Sequence, residues 1–167
     1  MSLTDSIFPE KEFDTIHPSP ASNLLSLNEV FRESMKKAQA AANSLHVIVR
    51  CENLPQVNGG YHQLSLVFDQ IFNMIFSHIP AGSRLFLYVD CTEYNGDVAD
   101  PFLPKGMKRY LIRFHTNIAA SSGWQKTNDP AISVCKQLLS ELNGNLAVNS
   151  VSSAGCLFSI SLPGKFE

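Results

Sequence analysis

The sequence predicts an α/β protein, a two-layer α/β sandwich in which three helices cover one face of a mixed, mostly antiparallel sheet. Three observations lead there. Three segments repeat apolar residues at helical spacing, and each keeps a single apolar face. Between and after them, short segments alternate apolar and polar residues, as strands with one covered face do. The order is helix, strand, helix, strand, strand, helix, strand, strand, which lays all the helices as one layer on one sheet. With 167 residues, 44% of them hydrophobic, the chain is long enough for one ordinary domain with a core.

Residues 1–23 contain Pro9, Pro18 and Pro20 without sustained periodicity and read as an extended arm, with the domain over residues 24–167. Such an arm points to a domain excised from a longer protein. Ser26 and Glu29 make a capping box for a first helix, whose face of Leu27, Val30, Phe31, Met35, Ala38 and Ala42 carries it to about Asn43. Val47, Val49 and Cys51 alternate with Ile48 and Arg50 in a strand that ends at Asn53-Leu54-Pro55. A Gly59-Gly60 turn opens the second helix, about Tyr61 to His78, with Leu64, Val67, Phe68, Ile71 and Ile75 on its core stripe. Pro80-Ala81-Gly82 breaks it before a strand from Arg84 to Val89. There Leu85, Leu87 and Val89 face one way, and Phe86, Tyr88 and Asp90 the other.

Thr92 to Gly106 make a long polar loop, and a strand from Arg109 to His115 returns antiparallel. A short connection around Trp124 leads to the third helix. Asp129 suits its N-cap and Pro130 its first turn, while Ile132, Cys135, Leu138, Leu139 and Leu142 repeat at helical spacing. Gly144 is expected as the C-terminal cap. Leu146 and Val148 then alternate in one strand, Ser153-Ala154-Gly155 turns, and Cys156, Phe158, Ile160 and Leu162 line a last strand that Pro163 is expected to end.

Composition excludes several function classes. A net charge of −2 with 13 Lys and Arg residues and no dense basic run argues against a nucleic-acid partner. Cys51, Cys91, Cys135 and Cys156 lie far apart in apolar segments, so neither a metal pair nor a disulfide framework is expected, and reduced thiols in a cytoplasmic protein are. No apolar run reaches 18 residues and no charged start is followed by an apolar core, so neither a membrane span, a signal peptide nor direct membrane contact is expected. No serine or cysteine nucleophile motif and no His-rich metal spacing points to another enzyme class.

Local phrases carry a family resemblance. Leu54-Pro55-Gln56-Val57 runs into the Gly59-Gly60 turn, Ile79-Pro80-Ala81-Gly82-Ser83 closes the helix after it, and the last helix, strand, turn and strand end at Leu162-Pro163. With the element order, these phrases make residues 25–163 resemble the ATPase domain of sensor histidine kinases, shared more broadly with DNA gyrase B, heat-shock chaperone and mismatch-repair ATPases. The resemblance implies a Bergerat-type fold and a role in two-component signal transduction. It also implies ATP and Mg2+ as the family's cofactors and a protein partner: a phosphoacceptor domain, a response regulator or another signalling protein.

In the family, one helix carries two polar residues a turn apart, and the second is an asparagine that helps coordinate the Mg2+ bridging the phosphates. An alignment without gaps from Gly60 to Val89 puts these positions on Gln70 and Met74. A thioether is a poor ligand for a hard cation, and Asn73 points about 100° away from Met74 around the helix. Ser77 is a further polar residue near the helix end. The family's adenine-binding aspartate sits at a strand end that here reads Arg113-Phe114-His115-Thr116-Asn117, leaving Thr116 and Asn117 as neutral acceptors. Its Gly-rich phosphate turn corresponds to Asn128-Asp129-Pro130-Ala131, where Pro130 lacks an N–H and Asp129 places a negative charge where phosphates would lie. His17, before Pro18, is disfavoured from helix and reads as a linker histidine, not a phosphoacceptor.

The expectation is therefore a divergent module with a degenerate nucleotide site, no confident catalytic residue and no cofactor. It would act by docking or regulation through Gln70, Asn73, Ser77, Thr116, Asn117 and Trp124. The alternative is an active catalytic domain that transfers phosphate from ATP to a histidine, with ATP and Mg2+ held through replacement residues. A nucleotide-independent adaptor for a response regulator-like or sigma-factor-like partner is a third possibility.

Overall fold

Apolar residues from three helices meet alternating residues from the strands in one continuous core. A computed structural model describes residues 24–41, 46–77, 79, 83–94, 103, 105–117, 130–152 and 155–166. In chain order the elements are β1 (Leu24–Ser26), α1 (Leu27–Ala41), β2 (His46–Cys51), β3 (Gln56–Asn58), α2 (Tyr61–Phe76), β4 (Arg84–Glu93), β5 (Lys108–Thr116), α3 (Pro130–Ser140), β6 (Asn145–Ser152) and β7 (Gly155–Lys165). The strands form one seven-stranded sheet in the order β1-β3-β7-β5-β4-β2, with β6 also paired to β7. Among the described residues only β2 and β4 pair in parallel. The predicted α/β sandwich with a mixed, mostly antiparallel sheet is the architecture observed.

Period-two alternation explains the two faces of the sheet. Leu85, Leu87 and Val89 of β4, Ile112 and Phe114 of β5, and Phe158, Ile160 and Leu162 of β7 are buried on the helix side. Above them α2 is the central helix. Its Phe68 and Phe72 rings meet Phe114 edge-on at centroid distances of 5.7 and 6.0 Å, and Phe72 meets Phe31 of α1 at 5.6 Å. Lys37 of α1 donates to Asp69 of α2 at 2.9 Å, outside the apolar contact.

The helix starts are tied down by backbone. Leu27 N–H, the first of α1, donates to the Pro55 carbonyl at 3.2 Å, and the Asn28 side chain holds Leu54 N–H at 2.9 Å and Asn53 at 2.8 Å. The strand-ending phrase Asn53-Leu54-Pro55 thus also anchors α1. Gly60 is the N-cap of α2, as the turn predicted, without a side-chain cap.

Four expectations change. Two strands, β1 and β3, were not anticipated; at three residues each they are too short for a period and exist by pairing with each other and with the end of β7. β4 continues through Thr92 and Glu93, residues read as loop, because β5 pairs with it as far as Glu93↔Tyr110. Pro163 does not end β7, which runs on to Lys165. Pairing with β6 stops at Ser161 and pairing with β3 begins at Gly164, so Pro163 lies in a gap of that flank, where the ladder makes no demand on its nitrogen.

The α3 terminus is the fourth. Asn143, not Gly144, takes the left-handed conformation, with φ of 60°. Gly144 N–H donates to the Leu139 carbonyl at 2.7 Å and Asn143 N–H to the Ser140 carbonyl at 3.1 Å, the paired bonds of a Schellman ending with Asn143 at C′. Gly144 is small for another reason: a Cβ there would lie 2.4 Å from the Ser161 carbonyl oxygen. Among the described residues, no helix is long and apolar enough to cross a membrane.

Candidate functional site

At 100° per residue, Gln70, Asn73 and Ser77 fall within about 60° of one another on α2 and form a polar stripe. Gln70 is half-buried, and Asn73 and Ser77 are exposed. The stripe borders α3. Gln63 donates to the Glu141 carboxylate at 2.7 Å, and the Cys135 thiol approaches the Val67 carbonyl at 3.8 Å, which lays α3 antiparallel to α2. The stripe therefore leads toward the first turn of α3 at Pro130, the side on which the resemblance places nucleotide.

Met74 forms the inner border of this stripe and belongs to the core, with 5% of its surface exposed. Ser77 closes the helix: its N–H donates to the Asn73 carbonyl at 3.0 Å, and its hydroxyl to the Met74 carbonyl at 3.3 Å. Thr116 ends β5 opposite Leu87, on the helix side and two residues beyond Phe114. Gln70, Asn73 and Ser77 thus share one face of α2 and its cap.

Asn117 does not join them. Its Oδ1 accepts from Phe86 N–H at 2.9 Å and its Nδ2 donates to the Arg84 carbonyl at 3.0 Å, so the side-chain amide extends the β4–β5 ladder by one step. Asn117→Ala should cost about 1 kcal/mol in urea unfolding, the size expected for hydrogen bonds at an exposed strand end, and leave any nucleotide titration unchanged. Trp124, Asn128, Asp129 and His17 lie outside the described residues.

The sheet's other face holds a second group of side chains. It was not singled out from sequence, although the alternation that buries Leu85 and Leu87 turns Phe86 and Tyr88 outward. Ile48, Phe86 and Tyr88 are 49%, 48% and 37% exposed. They line an open cleft of about 850 Å³ with Arg50, Glu52 and His115, and the end of β5 at Thr116, with Asn117 after it, borders it too. Its anions are engaged. Tyr88 hydroxyl donates to Glu52 at 2.6 Å, and the other Glu52 oxygen accepts from Cys91 N–H at 3.3 Å. Asp90 takes two bonds from the Arg113 guanidinium, at 2.8 and 3.2 Å, and one contact from His115 Nε2 at 3.0 Å. The bond to Glu52, more than burial or neighbouring charge, raises the Tyr88 pKa.

Cys51 and Cys91 lie on the helix side near this edge. Burial, reinforced by acidic neighbours, pushes their thiols up to about 12 and about 11, which makes them poor nucleophiles at neutral pH. Among the described residues, no cluster of His, Cys, Asp and Glu is placed to hold a metal ion.

Comparison with known proteins gives the same architecture. No protein-family model matches the sequence, and no curated protein matches it. Solved structures do. The chain is similar to the mycobacterial sensor histidine kinase MprB, with a TM-score of 0.64 at 14% identity over 86% of this chain and 99% of that one. It is also similar to the catalytic domain of histidine kinase ThkA, with a TM-score of 0.60 at 13% identity over 85% of this chain and 95% of that one. The Acinetobacter baumannii histidine kinase AdeS gives 0.59 at 11% identity over 83% of this chain and 65% of that one. The fold is that of a histidine-kinase-type ATPase domain, as the resemblance implied.

Proposed function

We propose that this chain is a divergent ATPase-domain module of the two-component sensor-kinase type, that its nucleotide side no longer holds Mg-ATP, and that it acts in the cytoplasm by docking to or regulating a signalling protein. The observation that carries this reading is Met74. At the position the resemblance assigns to a magnesium-binding asparagine stands a thioether, almost wholly buried in the core. Mg2+ takes oxygen ligands in near-octahedral geometry, and sulfur does not serve it.

The neighbours do not replace what Met74 lacks. Asn73 is an amide on the right helix, but it points about 100° away from Met74. Asn117 already gives both ends of its amide to the β4 backbone. Pro130, the first residue of α3, brings no N–H to a phosphate. ATP and Mg2+ thus do not fit the residues present. The partner is a protein: a phosphoacceptor domain, a response regulator or another signalling protein.

One observation favours the active alternative. Gln70, Asn73 and Ser77 still form a polar stripe leading to α3, on the side where nucleotide would lie. Mixing the protein with a phosphoacceptor helical hairpin and labelled ATP separates the readings. No label should reach the histidine; saturable transfer that falls on Gln70→Ala would establish the catalytic reading instead.

A further inference from the structure

β2 is the last strand of the sheet. Its residues His46–Cys51 pair with β4 on one side, and among the described residues no strand pairs with its other side. Six consecutive residues of edge backbone are a ready template for another strand. Natural edges are usually blunted by covering, by bulges or by inward charge, yet beside this one lie the exposed Ile48, Phe86 and Tyr88.

The charges around this edge are unbalanced. Among the described residues the carboxylates of this face are spent, Glu52 on Tyr88 and the Cys91 N–H, and Asp90 on Arg113 and His115. The exposed arginines are not: Arg50 and Arg84 make no side-chain hydrogen bond or ion pair among the described residues, and Arg84 lies opposite His46 in the register, so a positive charge stands near each end of the edge. An apolar floor flanked by unengaged cations complements an apolar, acidic ligand.

We infer that the outer edge of β2 and the open face beside it bind an extended acidic segment of a partner protein, which joins the sheet as a further strand. The inference deepens the docking reading and rests on it for the kind of partner. Main-chain hydrogen bonds to β2 supply affinity, and every second side chain of the added strand lies beside His46, Ile48 or Arg50. The segment that fits therefore carries acid, apolar and acid at alternate positions.

A second copy of the chain fits less well. In a second copy paired antiparallel about Ile48, Arg50 would stand opposite His46 of that copy, with no acid between them. The chain's own residues 1–23 precede β1, which lies five strand spacings or about 24 Å away at the opposite edge, a distance 23 residues can span, so a peptide of that sequence is the competing occupant in the test.

The test is a titration of the isotope-labelled full chain, without nucleotide, by the capped peptide Thr-Glu-Val-Phe-Val-Glu-Thr. Amide shifts should concentrate in residues 46–51 and 84–90. A control peptide with lysine for both glutamates should bind about tenfold more weakly. Arg50→Glu should reverse that preference, and Ile48→Lys should weaken both peptides.

Four results would overturn the inference: no saturable shift at millimolar peptide, equal binding of the lysine peptide, tighter binding of a peptide spanning residues 1–23, or self-association mapping to β2. Because no nucleotide is present, failure here leaves the nucleotide reading untouched. Detection of Mg-ATP binding on α2 would likewise leave this edge standing.

Discussion

Phe72→Ala should lower the unfolding free energy by about 3–5 kcal/mol, enough to unfold a large share of a marginally stable domain. Phe72 is fully buried and touches four other rings. It lies 5.6 Å from Phe31, 6.4 Å from Phe68, 6.0 Å from Phe114 and 6.4 Å from Phe76. These rings come from α1, α2 and β5, so one side chain joins two helices to the sheet beneath them. Alanine removes the transferred area and leaves a cavity whose aromatic walls cannot close over it, and it also loses the edge-on ring pairs. Urea unfolding measures this, with Phe72→Leu, which keeps most of the apolar volume but not the ring, as the comparison. The packing account fails if the two variants differ by less than about 1 kcal/mol.

Gly144→Ala should cost about 2–3 kcal/mol, while Asn143→Gly next to it should be close to neutral. The new Cβ at 144 would meet the Ser161 carbonyl oxygen at 2.4 Å and the Leu162 side chain at 2.7 Å, and the first of these is backbone in β7 that cannot rotate away. Asn143 already holds the left-handed conformation that glycine adopts freely, and its carbonyl accepts from Arg109 at 2.8 Å whatever its side chain. Thermal unfolding of the two variants should therefore separate sharply. The opposite order would mean that Gly144 is needed as the cap and not for the close approach of β7.

The α3 terminus shows what sequence reveals and what it does not. A glycine after an apolar helical repeat marks the right place, yet the conformational demand falls on Asn143, and the demand on Gly144 comes from a strand 17 residues later. Elements with a repeating apolar face were legible: α1, α2, α3 and the core sides of β4, β5 and β7 all follow from period. β1 and β3 were not, because three residues carry no period and their existence depends on distant pairing. Pro163 misled for the same reason, since whether a proline ends a strand depends on what lies beside it.

The candidate site divides along the same line. Gln70, Asn73 and Ser77 could be placed on one stripe from helix geometry alone. Asn117 could not be recognised as a ladder extension, because its partners Arg84 and Phe86 lie more than 30 residues earlier. Alternation revealed that Phe86 and Tyr88 point away from Leu85 and Leu87, but it carries no information on whether helices cover that second face. Only the sheet order puts Ile48 and Arg50 beside them at an open edge.

Calorimetric titration with a nonhydrolysable ATP analogue, with and without Mg2+ and beside an active histidine kinase domain, tests the central claim most directly. Met74 in the core and Asn117 on the β4 backbone predict no heat of binding up to millimolar nucleotide in either condition. Micromolar binding that requires Mg2+ and is lost on Gln70→Ala would contradict it.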